Sequence, residues 1–221
     1  MEDLAAVIGT TVLTTWGVTA ALGLAAWLAT RRMQVDQPGR LQTVAEGIVA
    51  AMEEAIAAVA PAHASQLLPF IGSLWIYLAV ANLLGLIPGL HSPSGDLSAT
   101  SALAIVVFLS THWFGIRDQG LHAYLRHYLS PSPILVPFHL MSEVSRTIAL
   151  AVRLFGNIMS LEMAALMVLL VAGFLAPVPI LLLHIVEALV QAYIFGMLAL
   201  IFVAGGLQQQ QLQQQRRDRD E

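Results

Sequence analysis

Long apolar stretches alternate with short polar segments along this chain. Apolar runs cover residues 4–30, 65–87, 97–116, 138–175 and 180–204. Each run is long enough for a helix that crosses a hydrocarbon core of about 30 Å. Residues 40–60 differ, because Glu46, Glu53 and Glu54 are interspersed among alanine and valine. That pattern predicts either an amphipathic helix at the membrane interface or a short helix packed against others.

The fourth apolar run is too long for a simple crossing. Three prolines in "SPSPILVP" precede it, and proline is favoured near helix starts, so the helix is predicted to begin near Phe138. If it continues to about Leu175, it is roughly 57 Å long and must tilt strongly or break. Gly205 and Gly206 are expected to end the last span, and residues 207–221 form a glutamine-rich polar tail.

Composition supports a membrane protein. Of the 221 residues, 57% are hydrophobic and only 11% are charged, whereas soluble domains are about 45–50% apolar and about 25% charged. The basic residues are few and scattered, which argues against nucleic acid as a partner, and the chain has no cysteine for a thiolate site. The sequence therefore predicts a single all-α integral membrane domain with five crossings, and no cofactor or metal site.

The positions of the arginines predict the orientation. They follow the first, third and last apolar runs, at Arg31, Arg32, Arg40, Arg117, Arg126, Arg216, Arg217 and Arg219. The alternate connections, "IPGLHSPSGD" and "LAPVP", contain no lysine or arginine. Because basic loops stay in the cytoplasm, the amino terminus is predicted outside and the carboxyl terminus inside. Acidic Glu2 and Asp3 precede the first run, which favours a retained span over a cleaved leader.

Polar residues form one stripe along the long fourth helix. Steps of three, four and seven residues keep side chains on one helix face, and they join His139, Glu143, Arg146, Arg153 and Asn157. Glu143 and Arg146 are close enough along the helix for a local ion pair. Glu162 lies nine residues after Arg153, which is the opposite face and about 13 Å along the axis, so these two cannot pair.

Arg153 therefore needs another partner. Arginine does not lose its proton in proteins, and an unpaired charge at the bilayer centre costs at least about 2.5–3.5 kcal/mol. Arg153 is expected to meet a carboxylate from another chain, or water.

The last helix carries a second polar set. His184, Glu187 and Gln191 are spaced by three and four residues and share one face, in a span with no other charge. A lone histidine on such a face is more often a packing residue, but the three together favour an ion path. With the predicted orientation, Glu162 and His184 lie toward the outside, and His139 and Glu143 toward the cytoplasm. Protonatable groups on both sides of a fixed positive charge predict two offset half-channels.

These residues carry a family resemblance. The signature comprises "RLFGN" at residues 153–157, then Glu162, His184 and "QAYIF" from Gln191, with "NLLGLIPG" and "PSGDLSAT" upstream. The chain resembles subunit a of the F-type ATP synthase over about residues 35–205. The resemblance implies two long tilted helices against a c-ring, as the excess length of the fourth run also indicates.

The resemblance implies roles for single residues. Arg153 corresponds to the essential arginine that faces the rotor carboxylate. Glu162 and His184 correspond to the outer half-channel, and Asp96 to an acidic position on the outer access path. Asn157 and Gln191 correspond to polar groups close to the arginine.

Two positions depart from the family pattern. Glu187 stands where many relatives have an apolar residue. His139 occupies a position that is often glutamate, and Glu143 could substitute for it. Both departures suggest a variant subfamily, in which the ion specificity could be altered.

The implied function is a non-catalytic stator subunit that passes protons to and from the c-ring. Its partners would be c subunits, the peripheral-stalk subunit b and membrane lipids, in a bacterial inner membrane. Three alternatives remain open from the sequence. The motor could be coupled to Na⁺, the chain could be a stand-alone secondary transporter that binds an anion at Arg153, or it could be a membrane anchor.

Overall fold

Helices make up the described part of the chain. The computed structural model describes residues 2–31, 39–86, 92–120, 136–172 and 178–220. The helices are α1 (Glu2–Arg31), α2 (Arg40–Val59), α3 (Ala64–Leu84), α4 (Leu97–Gln119), α5 (Val136–Ala172) and α6 (Val178–Asp220). Single 3-10 turns at Pro61–His63 and Pro93–Gly95 precede α3 and α4. Within the described residues there is no strand, and the predicted all-α class is confirmed.

Five of these helices are long and apolar enough to cross a membrane. The candidate spans are Thr11–Arg31, Pro61–Leu84, Leu97–Asp118, Val136–Val171 and Val178–Gly205. The remaining helix, α2, packs against α3, where Ile56 is fully buried, while Glu46, Glu53 and Glu54 are exposed. The chain is therefore an integral membrane protein with five apolar helices and one shorter amphipathic helix that packs on them.

A close approach between α3 and α6 fixes the centre of the bundle. The indole of Trp75 lies so near Gly196 that a Cβ atom at that position would overlap it. The indole nitrogen donates a hydrogen bond to the backbone oxygen of Tyr193 at 3.2 Å, and the two rings stack with centroids 5.9 Å apart. Only glycine permits this contact between α3 and α6.

The two last helices differ in detail from the expected bounds. α5 begins at Val136 and is one helix of 37 residues, about 55 Å long, so it exceeds the bilayer core and must tilt. The predicted end of this helix, near Leu175, lies outside the described residues.

Gly205 ends the apolar span of α6, as predicted, but it does not end the helix. The backbone of α6 stays helical to Asp220, although its apolar part does end at Gly205. Glycine costs only about 1 kcal/mol in a helix relative to alanine, and glutamine is a good helix former, so the polar segment continues the helix.

Candidate functional site

Arg153 lies on the outside of the helix bundle. The buried face of α5 consists of apolar side chains, namely Leu150, Ala151, Leu154, Ile158 and Leu161. Arg153 lies off this face and is exposed. It makes no hydrogen bond, ion pair or ring contact with any other residue that the structure describes. The permanent charge of this guanidinium is thus presented outward, halfway along α5.

Small side chains surround Arg153 on this outer face. Ala149, Gly156, Ser160 and Ala164 are all exposed, and their spacing of three or four residues places them on the same side of α5 as Arg153. With small neighbours, another helix could approach the backbone of α5 closely. We call these four residues and Arg153 the arginine face.

A hydrogen bond joins α5 and α6 one turn beyond Arg153. The amide nitrogen of Asn157 donates to the side-chain oxygen of Gln191 at 2.7 Å. Gln191 and His184 are both only 2% exposed. Gln191 Nε2 and His184 Nε2 are buried without a hydrogen-bond partner among the described residues. An unsatisfied buried polar group costs about 1–3 kcal/mol, so two of them on one face of α6 call for a functional explanation.

A polar network where α3 ends and α4 begins supports this part of α6. Asn82, which is fully buried on α3, donates to the backbone oxygen of Ala188 on α6 at 3.2 Å and accepts from the hydroxyl of Ser94. Ser92 donates to the backbone oxygen of Ala81 at 2.8 Å. We did not predict this network from the sequence. The available signal was the amide of Asn82, near the end of an apolar helix.

The carboxylate of Glu162 lies at the same end of the bundle. A Cβ atom at Gly95 would be 3.4 Å from one carboxylate oxygen of Glu162 and 3.5 Å from the other. A Cβ atom at Gly85 would also be 3.4 Å from this carboxylate. Because Gly85 and Gly95 have no side chain, there is space beside the half-buried carboxylate of Glu162. A larger residue at either position would fill that space.

Asp96 caps α4 next to this region. It accepts a hydrogen bond from the backbone N–H of Ser98 at 2.9 Å and one from the hydroxyl of Thr11, on α1, at 2.7 Å. Partial burial would raise the pKa of Asp96, but these hydrogen bonds lower it by more, so its pKa lies below the ordinary value. Asp96 therefore serves as a helix cap and holds α1 to the start of α4.

A separate polar group lies at the opposite end of the bundle. Glu143 Oε2 is 3.4 Å from Nε2 of His112, on α4. Arg146 instead lies over the ring of Phe202, with 5.5 Å from its guanidinium carbon to the ring centroid. Spacing along α5 permits a local ion pair between Glu143 and Arg146, but each has its described contact on another helix. We did not predict His112, since nothing in the sequence sets the register of α4 against α5.

Two predicted residues are less well defined. The side chain of His139 lies outside the described residues. Glu187 is half-buried and makes no hydrogen bond or ion pair with any other described residue. Among the described residues, no group of three or more His, Cys, Asp or Glu side chains could hold a metal ion.

Comparison with known proteins gives this geometry a context. The family model for the ATP synthase A chain matches residues 12–204. The chain belongs to the ATP synthase A chain family.

The similarity to individual members of this family is high. The chain is similar to ATP synthase subunit a 2 of Pelobacter propionicus, with 61% identity over 91% of this chain and 88% of the relative. It is 65% identical to ATP synthase subunit a 1 of Hahella chejuensis over 90% of this chain and 84% of that relative. ATP synthase subunit a of Legionella pneumophila, strain Philadelphia 1, is 56% identical over 92% and 89% of the two chains.

Membership of the ATP synthase A chain family confirms the resemblance drawn from residues 153–157 and the segments around them. The chain is a multi-pass membrane protein of this family, and the three relatives come from bacteria. Within this frame, the structure separates a polar group at the Glu162 end of the bundle from another at the His112 end. The arginine face lies between them.

Proposed function

We propose that this chain is the stator subunit of the membrane sector of a rotary ATP synthase. In this proposal, Arg153 faces the carboxylate of each arriving c subunit and separates two offset aqueous half-channels. The observation that carries the proposal is the exposed position of Arg153, without a partner among the described residues, in the middle of an apolar helix. Such a charge needs an anion or water, since it cannot be neutralised by loss of a proton.

The small residues of the arginine face favour a partner helix that moves past Arg153. Small residues beside Arg153 let a second helix come close without interlocking side chains. A carboxylate on that helix would compensate the guanidinium only while it passes. A carboxylate from a ring of identical subunits meets both requirements, because each subunit brings the same group to the same place.

The two polar groups support the half-channels. Along α5, Glu162 is about 13 Å from Arg153 in one direction and Glu143 about 15 Å in the other. A membrane potential of 100 mV supplies about 2.3 kcal/mol per charge. This is no more than the cost of one unpaired charge in the membrane, so transfer needs water beside these groups.

The chemistry of the outer group favours H⁺ over Na⁺. Its two unpartnered buried atoms, His184 Nε2 and Gln191 Nε2, are nitrogens. Hard cations take oxygen ligands, whereas imidazole binds and releases protons near neutral pH. Glu187, on the same helix face as His184 and Gln191, would add a further protonatable group.

The proposal includes an orientation and partners. The arginine distribution supports an amino terminus outside and a carboxyl terminus in the cytoplasm of a bacterial inner membrane. Besides the c-ring, the chain would contact the peripheral-stalk subunit b and lipids. It would have no catalytic role of its own, because ATP chemistry belongs to other subunits of such a complex.

The test replaces Arg153 by alanine in the assembled complex. Co-purification with c subunits, ATP synthesis driven by a proton gradient, and passive proton leak are measured in membrane vesicles. We expect assembly to persist, coupled synthesis to disappear and leak to rise, because the barrier between half-channels is gone. Arg153→Lys should rescue poorly, since lysine lacks the planar fork and the fixed charge.

Arg31→Ala is the matched control. Arg31 is also at a helix surface, but it belongs to α1 and not to α5 or α6. Its guanidinium carbon lies 3.8 Å from the ring centroid of Trp27, also on α1. Its loss should leave coupling intact. Normal coupled synthesis in Arg153→Ala would refute the proposal, and ion transport by the purified chain alone would favour a stand-alone transporter.

A further inference from the structure

A small cavity lies between α4, α5 and α6 at the His112 end of the bundle. Its volume is about 40 Å³, and its lining includes His112, Glu143, Arg146, Thr111 and Thr147. A water molecule needs about 10–15 Å³ of such space and two to four polar partners. The cavity therefore has room and hydrogen-bonding groups for water next to the contact between His112 and Glu143.

The tautomer of His112 follows from its contacts. Its Nδ1 lies 2.9 Å from the backbone oxygen of Phe108. A carbonyl oxygen only accepts hydrogen bonds, so Nδ1 carries a hydrogen. The ring also packs on the side chain of Phe108, with centroids 4.4 Å apart. His112 is thus held with its second nitrogen, Nε2, turned toward Glu143.

This arrangement makes the contact depend on one proton. In neutral His112 with a hydrogen on Nδ1, the Nε2 atom can only accept, and an ionised carboxylate can also only accept. The 3.4 Å approach of Nε2 to Glu143 Oε2 is attractive only when a proton lies between them. That proton can reside on the imidazole or on the carboxyl group.

Among the described residues, few charged groups lie near His112 and Glu143. From α5, Arg146 lines the same cavity, and from α6 the lining residue is Phe202, which carries no charge. Further along α4, Asp118 pairs with His63 at 3.6 Å, outside the cavity lining. Arg117 is exposed beyond it.

We infer that His112 and Glu143 form a one-proton relay at the cytoplasmic end of the ion path. The inference rests on the proposed function, which supplies the direction of transfer. The pair takes a proton from water, forming one N–H or O–H bond, and returns it to water in the cavity. Glu143 is about 15 Å along α5 from Arg153, so water completes the path between them.

The relay gives a function to α4, in addition to the two long helices α5 and α6. α4 supplies His112, whereas α5 supplies both Glu143 and Arg153. Imidazole is a common proton donor and acceptor in proteins, which suits His112 to a relay.

The experiment compares His112→Gln, Glu143→Gln and the double variant in the assembled ATP synthase. ATP-driven proton transport per complex is measured in inverted vesicles while the pH on the cytoplasmic side is varied. We expect each single variant to lose roughly tenfold in rate, with a changed pH profile. This is less than the usual contribution of a positioned acid or base, because water can partly replace the relay. The double variant should be no slower than the slower single variant.

His63→Gln is the matched control, because it removes a histidine from another histidine–carboxylate pair at the same end. It should leave both rate and pH profile unchanged. If His112→Gln assembles poorly, His112→Asn, which keeps a donor for the Phe108 carbonyl, gives the same comparison. Wild-type turnover per complex at every pH in both His112 variants would overturn the relay. If Arg153→Ala still abolishes coupling, the proposed function survives that result, whereas normal coupling in Arg153→Ala would remove both.

Discussion

Asn157 and Gln191 hold α5 and α6 together by a 2.7 Å hydrogen bond, one turn from the exposed charge of Arg153. Asn157→Leu should remove the donor and leave the buried oxygen of Gln191 unsatisfied, at a cost of about 1–3 kcal/mol in stability. Adding Gln191→Leu should recover much of the thermal stability of the complex, because neither partner then remains unpaired. Coupled transport should stay impaired in the double variant. Full recovery of transport along with stability would show that this pair has only a structural role.

Glu187 is the departure from the family pattern that we expect to affect transport. It is half-buried and without a partner among the described residues, on the face of α6 that carries His184 and Gln191. Glu187→Gln should slow proton transport per complex and change its dependence on outside pH, without the leak expected of Arg153→Ala. Lower assembly with unchanged turnover at every pH would instead remove Glu187 from the ion path.

Gly95 is predicted to keep space beside the carboxylate of Glu162. In Gly95→Ala the new methyl group would lie 3.4–3.7 Å from three atoms of that carboxylate group, which is ordinary van der Waals contact. The fold should tolerate this, since the backbone of Gly95 does not have a positive φ. The methyl would exclude water from one side of the acid, so transport should fall several-fold while assembly stays normal. Gly47→Ala, where nothing lies within 4 Å, is the control.

The pKa of Asp96 makes a prediction about stability and pH. Since hydrogen bonds lower this pKa despite partial burial, they stabilise the fold fully above the ordinary carboxyl pKa. The contribution is lost as pH falls through the lowered pKa. Thr11→Val should therefore reduce thermal stability at neutral pH, by about 1 kcal/mol or less, and the difference from wild type should shrink in acid.

Thr19→Val tests whether the Thr11 effect is specific to the carboxylate. The Thr19 hydroxyl donates to the backbone oxygen of Thr15 at 2.8 Å, with no acid involved. Its replacement should give a difference that does not depend on pH. A difference for Thr11→Val that is constant down to low pH would show that Asp96 does not titrate against this hydrogen bond.

The orientation can be tested on the two ends of one helix. The chain has no cysteine, so Ser98→Cys and Arg117→Cys each introduce a single thiol, at exposed positions near opposite ends of α4. A membrane-impermeant maleimide added to intact cells should label the first and spare the second. The reverse result would exchange the two half-channels, and His112 would then face outward.

The sequence predicted those features that depend on one helix at a time. Helical spacing alone showed that Glu162 cannot neutralise Arg153, and the structure confirms that no described side chain does so. Features that depend on how helices are placed against each other were missed. Spacing suggested that Glu143 pairs with Arg146, but packing of α4 on α5 brings His112 to Glu143. The hydrogen bond from Thr11 to Asp96 spans 85 residues of sequence, and no local pattern encodes it.

The end of α6 was missed for a different reason. Glycine is a weak helix breaker in isolation, so Gly205 and Gly206 mark the end of the apolar surface without ending the helix. The sequence therefore predicted where the membrane-spanning part stops more reliably than where the secondary structure stops.

The small residues of the arginine face have a mechanical consequence. Its four small side chains project little from α5, so Arg153 extends furthest from the helix. The four are Ala149, Gly156, Ser160 and Ala164. A helix that slides across this surface would meet a shallow groove with one protruding, flexible and charged side chain. Sliding friction should then be set almost entirely by how quickly a single ion pair forms and separates. Larger side chains at Gly156 or Ser160 would slow the sliding of the neighbouring helix, even where the chemistry of proton transfer is unchanged.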